Sequence, residues 1–294
     1  MRRGVAFCLG VCVSALVACG GSSPGEPANV APTFDPLTNQ ILDLNSREQV
    51  VTVTGISAGA PAETAQAVTL SASSSNKNLI PDPVVAGSGT ARTVTFTPRP
   101  NEAGRAIITL RADDNQPQNN LFARAFTVEV LPGALDQKQD LRDTSISMPV
   151  GSTSNQKFGQ VVTAGIAGQL VQVRLPIPKC IGADLSMEIR GVSGGVPDAT
   201  VLHSRTFVGD FPAAGPDEFT PFGFVAGPTL TAGMQFAIVL AAIGPTATGA
   251  GCAMSPGPTG NSYPAGNLFF DAAPNSPGWV ISDRDLAFRT VVRG

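Results

Sequence analysis

Short stretches of alternating apolar and polar residues run through most of the chain, and Gly, Pro, Asn or Asp break them every few positions. Amphipathic helical periodicity is nearly absent. Alternation with a period of two marks half-buried strands, because successive side chains leave a strand on opposite faces. In the first part of the chain it predicts strands at residues 41–44, 49–54, 66–72, 84–85, 93–97, 106–112 and 125–130. Within 106–112 the even positions face a core, and in the last of these strands Phe126, Val128 and Val130 point inward. The pattern resumes later at 158–162, 170–175, 185–190, 220–224 and 286–292. Residues 234–240 are almost continuously apolar, which suggests a central strand covered on both faces.

The expected fold class is therefore all-β, in two β-sandwich domains. Seven short strands in roughly 100 residues suit an immunoglobulin-like sandwich over 30–132. Eight or so strands over roughly 160 residues suit a jelly-roll-like sandwich over 135–294. Leu131, Pro132, Gly133 and Ala134 read as the linker. Composition agrees: 32 Gly and 25 Pro supply frequent turns, and only 14% of residues are charged. The formal net charge is −3 with no basic run, which argues against nucleic acid as a partner.

The first residues change the picture. Arg2 and Arg3 precede an apolar run from Val5 to Val17, too short to span a bilayer. A basic start, a short apolar run and small residues at its end describe a secretory signal peptide. Leu16-Val17-Ala18-Cys19 resembles the lipobox of bacterial lipoproteins, and a Gly/Ser-rich stretch follows it. The resemblance implies that residues 1–18 are a signal peptide, that Cys19 begins the mature chain and carries its lipid, and that 19–29 form a lipidated tether. Each buried methylene contributes about 0.8 kcal/mol, so two or more acyl chains hold a soluble body stably on a membrane. Gly20 is not the aspartate that retains such proteins at the inner membrane, so the resemblance implies an outer-membrane location, facing either the periplasm or the outside.

With the signal removed and Cys19 acylated, Cys180 and Cys252 are left. In an oxidising compartment such a pair is most simply a disulfide, and the alternative is two free thiols. No ligand cluster surrounds His203, the single histidine, so the pattern gives no transition-metal site.

The first sandwich resembles the Ig-like, cadherin-like repeats of bacterial surface proteins. The resemblance rests on Ala31-Pro32-Thr33-Phe34, Gly55-Ile56-Ser57-Ala58-Gly59, Asn78-Leu79-Ile80-Pro81, Phe96-Thr97-Pro98 and Ala112-Asp113-Asp114-Asn115. Such repeats serve as spacers, adhesive units and enzyme appendages. Family members with an acidic pair between the last two strands sometimes bind calcium, which makes Asp113, Asp114 and Asn115 candidate Ca2+ ligands. The competing reading is a hairpin turn, for which Asp and Asn are common choices. No other cofactor is expected. The second sandwich resembles a β-sandwich module of secreted bacterial proteins, on residues 158–168, 185–190, Gly194-Gly195-Val196-Pro197, 230–233 and 285–290. Its shape is like that of carbohydrate-binding modules.

Aromatic residues near the end of the chain are the one hint of a binding face. Tyr263 lies in a Gly/Pro-rich loop and Trp279 follows Pro277-Gly278, so both are placed to project as a sugar platform, with Asp283 nearby to accept hydroxyls. Alternatively, Trp279 and Phe270 plug the open end of the sandwich. No Gly-x-Ser-x-Gly elbow is present and His203 belongs to no triad, so no enzyme is expected. The expected function is a lipid-anchored envelope protein with a non-catalytic binding or adhesion role, its C-terminal sandwich meeting a glycan or another surface. A structural envelope part with protein partners is the alternative, and a secreted hydrolase a third.

Overall fold

The computed structural model describes residues 28–151, 156–209, 211, 214–215, 217–244, 251–271 and 278–294. The signal peptide, Cys19 and most of the expected tether lie outside them. Among the described residues there is no α-helix, only one 3-10 turn at Pro61–Glu63, and the fold is all-β.

The first half of the chain forms β1 (Gln40–Leu42), β2 (Gln49–Val53), β3 (Thr69–Ser74), β4 (Val84–Ala86), β5 (Arg92–Phe96), β6 (Gly104–Asp113) and β7 (Leu121–Val130). All seven expected strands are found. One sheet runs β1-β7-β6-β3, with β1 parallel to β7, and the other β2-β5-β4. Ala106, Ile108, Leu110 and Ala112 are buried, as the even-position reading requires. They meet Val53, Val94 and Phe96 of the facing sheet in one hydrophobic core. Each fully buried large side chain contributes about 1.5–3 kcal/mol.

The second half contains β8 (Ala134–Gln139), β9 (Met148–Gly151), β10 (Lys157–Thr163), β11 (Gly168–Leu175), β12 (Cys180–Ile181), β13 (Asp184–Ser193), β14 (Val196–Phe207), β15 (Thr220–Gly223), β16 (Thr229–Leu230), β17 (Gln235–Ile243), β18 (Gly251–Met254), β19 (Pro256–Thr259), β20 (Leu268–Asp271), β21 (Val280–Ile281), β22 (Arg284–Leu286) and β23 (Phe288–Arg293). A six-stranded sheet runs β14-β13-β17-β10-β20-β21, and a second sheet β15-β11-β23-β8 carries β16 beside β11. Phe158, Leu185, Met187, Ile238 and Leu240 of the first face Leu170, Val173, Leu175, Phe222 and Phe288 of the second across another core. Residues Phe236 to Leu240 of β17 are buried without a break, since β17 is central and both its faces are covered.

There are more strands here than the eight or so expected. The additions are mostly short pieces of two to four residues in Gly- and Pro-rich stretches, where alternation has no room to show. The long β14 pairs with β13 through a Gly194-Gly195 turn, both residues at positive φ, as a tight hairpin needs.

The two halves meet through a short, packed connection rather than a loose linker. Leu131 is buried against Val171 and Val291 on the outer face of the second sheet. Leu131 N donates to Leu42 O at 2.8 Å, Leu44 N to Gly133 O at 3.0 Å, and Leu135 N to Asp43 Oδ1 at 2.9 Å. At Gly133 a Cβ would fall 2.5 Å from the carbonyl oxygen of Val292, so this close crossing needs glycine. Beside it lies Arg174, with a fully buried side chain. It donates to Glu129 Oε1 at 2.7 Å and Oε2 at 3.1 Å, and to Asp217 Oδ1 at 3.0 Å. Burial opposes the charge, but the hydrogen bonds and the charge of Glu129, then those of Asp217, hold the guanidinium above its ordinary value. Arg105 and Arg289 flank the two acids. Glu129 is on β7 and Arg174 on β11, so this network ties one half to the other.

Candidate functional site

The layers follow one another away from Asn29. Asn29 sits at the tip of the β6–β7 hairpin, where its side-chain amide donates to Asp114 Oδ2 and to Gln118 O, each at 3.0 Å. Its Oδ1 accepts from Gln66 Nε2 at 3.1 Å, and its carbonyl accepts from Asn119 Nδ2 at 3.0 Å. Asp113 pairs with Leu121 at this tip, and Gly104 pairs with Val130 at the junction end. Ten residues of strand at about 3.3 Å each separate the two ends by roughly 30 Å. Beyond the junction come the second sheet, the larger core and the six-stranded sheet. The outward face of that last sheet lies on the other side of the larger core from the junction.

That face carries a small apolar patch. Val161, Ala237, Val239 and Phe269 are buried there, and the half-buried Trp279 packs over them with Val192 and Val196. Gly159 makes room: a Cβ would stand 3.2 Å from the outer atoms of the Trp279 ring and 3.0 Å from Pro197. The indole therefore lies across the sheet and keeps part of its surface open. Next to Trp279, Val280 and Ile281 are exposed, and Ile281 lines a depression of about 320 Å3 together with Asn261, Asn267, Ser282 and the exposed Asp283. Amide, hydroxyl and carboxylate groups around a hydrocarbon floor suit a polyhydroxylated ligand.

Tyr263 does not belong to that face. Its ring is buried and packs edge-on against Phe288 at 5.0 Å in the core between the two sheets. The six-stranded sheet lies between it and Trp279, so the expected pairing of these two aromatics as a platform is corrected. The cause is the polar requirement of the ring. Tyr263 Oη donates to Gln137 Oε1 at 3.0 Å and accepts from Thr163 N at 3.3 Å, so the hydroxyl is satisfied inside. Burial pushes the hydroxyl above its usual range; the Thr163 N–H opposes this, and the charges of Asp136 and Asp285 add to it. Asp285 is buried and accepts from Tyr263 N at 2.9 Å and Gln160 Nε2 at 3.2 Å, which fixes the loop behind the depression.

The residues Asp113, Asp114 and Asn115 form a turn that holds the chain at Asn29. Asp113 Oδ1 accepts from Asn115 N at 2.8 Å and Asn120 Nδ2 at 3.0 Å, and Asp114 Oδ1 from Gln116 N at 3.1 Å. Asn115 takes φ +60°. The carboxylate oxygens thus face amide N–H groups. Among the described residues no group of three or more His, Cys, Asp or Glu side chains is arranged to hold a metal ion.

Cys180 and Cys252 are joined as a disulfide between β12 and β18 at the edge of the larger core. His203, on the outer strand β14, stacks edge-on against Phe224 at 5.1 Å. The sequence reasoning missed Asn29 and Arg174. Neither carries a local signal, since their partners lie tens of residues away in the chain.

No family model matches this chain, and no curated protein matches it. Among solved structures, the secreted serine protease VesC from Vibrio cholerae is similar over 77% of this chain at 7% identity, with a TM-score of 0.25. The chain spans about half (50%) of the length of that protease. The collagen adhesin CNA from S. aureus is similar over 91% of this chain and 96% of its own, at 9% identity and a TM-score of 0.13. Likenesses this remote carry no argument about function.

Proposed function

We propose that the protein is a lipid-anchored, non-catalytic component of the bacterial outer membrane, in which an Ig-like sandwich holds a jelly-roll-like sandwich away from the lipid. Acylated Cys19 is the anchor. The face bearing Trp279 and Asp283 binds a glycan or another envelope surface. One observation supports this reading: Asn29, ten residues after Cys19, is held at the tip of the β6–β7 hairpin, at the other end of those strands from the junction, and the larger core and the six-stranded sheet lie between the junction and the Trp279 patch. A chain that leaves the membrane at one end and offers open aromatic surface at the other is arranged as a stand-off. The buried Arg174 contacts to Glu129 link the two halves of this arrangement.

Two measurements test it together. In detergent phase separation the protein made in a bacterial host partitions with the detergent, and Cys19→Ser moves it to the aqueous phase. On a glycan array the wild type binds a defined subset, and Trp279→Ala or Asp283→Ala abolishes that binding with the circular dichroism spectrum unchanged. Aqueous partitioning of the wild type removes the anchor, and array binding indifferent to both substitutions removes the face.

A further inference from the structure

Strand β2 lies at the edge of its sheet without the protections that other long edges of the fold carry. An edge presents unpaired N–H and C=O groups to any passing chain, so folds blunt it with charge, proline, bulges or covering side chains. On edge strand β3, the Ser74 N–H is held by Asp82 Oδ1 at 2.9 Å. Edge strand β8 carries Asp136 and Lys138, and β14 contains Pro197 and two shifts of register. The five residues of β2, Gln49 to Val53, include no charge, proline or glycine, and Val50 and Thr52 are exposed.

One side of β2 pairs with β5. On the other side, just past the strand, Asp35 N donates to Thr54 O at 2.9 Å. Peptide groups point alternately to the two sides of a strand, so Val50 and Thr52, in phase with Thr54, turn their N–H and C=O to this open side. No loop or side chain among the described residues bonds them there.

We propose that the protein pairs with a second copy of itself through β2, joining the two β2-β5-β4 sheets into one. With Val51 of each copy on a twofold axis, Val50 of one copy lies opposite Thr52 of the other. The two exchange backbone hydrogen bonds, and no charges meet along the strand. The pairing stops at Thr54, whose carbonyl Asp35 already holds. There Arg47 of the other copy falls opposite Gly55, where the Asp35 carboxylate occupies the place a Cβ would take. Arg47 and Asp35 are both exposed, and among the described residues neither is ion-paired within its own chain. Glu48 makes the one unfavourable approach, towards Asp35, and Arg47 offsets it. The contact is small, so the pairing is weak and reversible.

The pair has a direction. β2 runs from the junction end, where Leu44 N bonds Gly133 O, towards the Asn29 end, where Val30 O lies against Gly59. Antiparallel copies therefore carry their Asn29 ends at opposite ends of the pair. That arrangement suits molecules anchored in facing membranes, and this last point alone rests on the role proposed for Cys19.

The test is oxidative cross-linking of the purified full chain, with the wild type as background for its native thiols. Opposed residues of a non-hydrogen-bonded antiparallel pair have Cα atoms about 4.5 Å apart, within reach of a disulfide, so Val51→Cys gives a covalent dimer. The two Val50 positions are roughly 8 Å apart in this register, from strand rise and spacing, so Val50→Cys gives at least tenfold less. Adding Thr52→Pro, which removes an N–H that the fold does not use, lowers the Val51→Cys dimer at least tenfold. Because proline also stiffens the strand, Val50→Lys with Thr52→Lys is the second variant; it sets lysines opposite each other from exposed positions and lowers the dimer as far. Arg47→Glu lowers it severalfold. Equal yields from Val50→Cys and Val51→Cys overturn the proposal, as does a Val51→Cys yield no higher than background. An undiminished dimer in a folded double-lysine variant overturns it as well.

Discussion

Arg174→Met tests whether the two halves are locked together. The arginine side chain is fully buried, and the side chains of Glu129 and Asp217 are only 8% and 7% exposed. Removing one partner of a buried pair leaves charge without compensation and costs about 3–5 kcal/mol. Arg105 remains 3.6 Å from Glu129, and Arg289 remains on Asp217, so the residual charge is shared and the loss falls at the lower end, about 3 kcal/mol. For a chain of this size that lowers Tm by roughly 6–12 °C. Urea unfolding and calorimetry of the purified protein measure it. Glu129→Gln on its own also destabilises. If the two act through one contact across the junction, the double variant loses less than the sum of the singles, by at least about 1 kcal/mol. Strict additivity, or a loss below about 1 kcal/mol for Arg174→Met, refutes the idea that this network joins the halves.

Further outcomes follow from single sites. Tyr263 is the chain's one tyrosine, so absorbance at 295 nm reports it alone; it titrates above the usual tyrosine range, because burial raises its pKa. Its contribution to stability is complete below the unfolded tyrosine value and falls as pH rises through the folded one, and Tyr263→Phe removes that alkaline loss, as pH-dependent urea melts show. Reducing Cys180–Cys252, which closes a loop with a separation of 72 residues, costs about 4 kcal/mol on the chain-entropy account, readable as a lower urea midpoint in dithiothreitol. Asn29→Ala costs about 1–3 kcal/mol, since the buried Asp114 loses a donor, and amide exchange speeds up through residues 113–120. Calcium at millimolar concentration leaves Tm unchanged, because the carboxylates of Asp113 and Asp114 already accept amide hydrogens.

The strands of the first half were legible because each has one buried face, and Ile108, Leu110 and Phe126 declare it by period two. The apolar run through Phe236 and Leu240 was legible as a central strand for the complementary reason, that neither face meets water. Pieces such as Pro256–Thr259 were not, since three glycines or prolines in four residues erase the alternation. Nor does sequence show on which face of a sheet a loop residue will land. Tyr263 and Trp279 both follow turn-rich stretches, yet one hydroxyl found Gln137 inside while the indole found Gly159 outside. Arg174 looks like any alternating strand residue until Glu129 and Asp217 are brought to it.

Trp279 is the chain's one tryptophan, and its fluorescence tests the stand-off most directly. Protein carrying its acyl chains is reconstituted into vesicles that contain lipids spin-labelled at the headgroup, which quench only over short distances. The account predicts that the protein floats with the vesicles while Trp279 emission stays unquenched, since the long axis of the first half stands between the indole and the lipid. Strong quenching of vesicle-bound protein, or protein that fails to float, contradicts it.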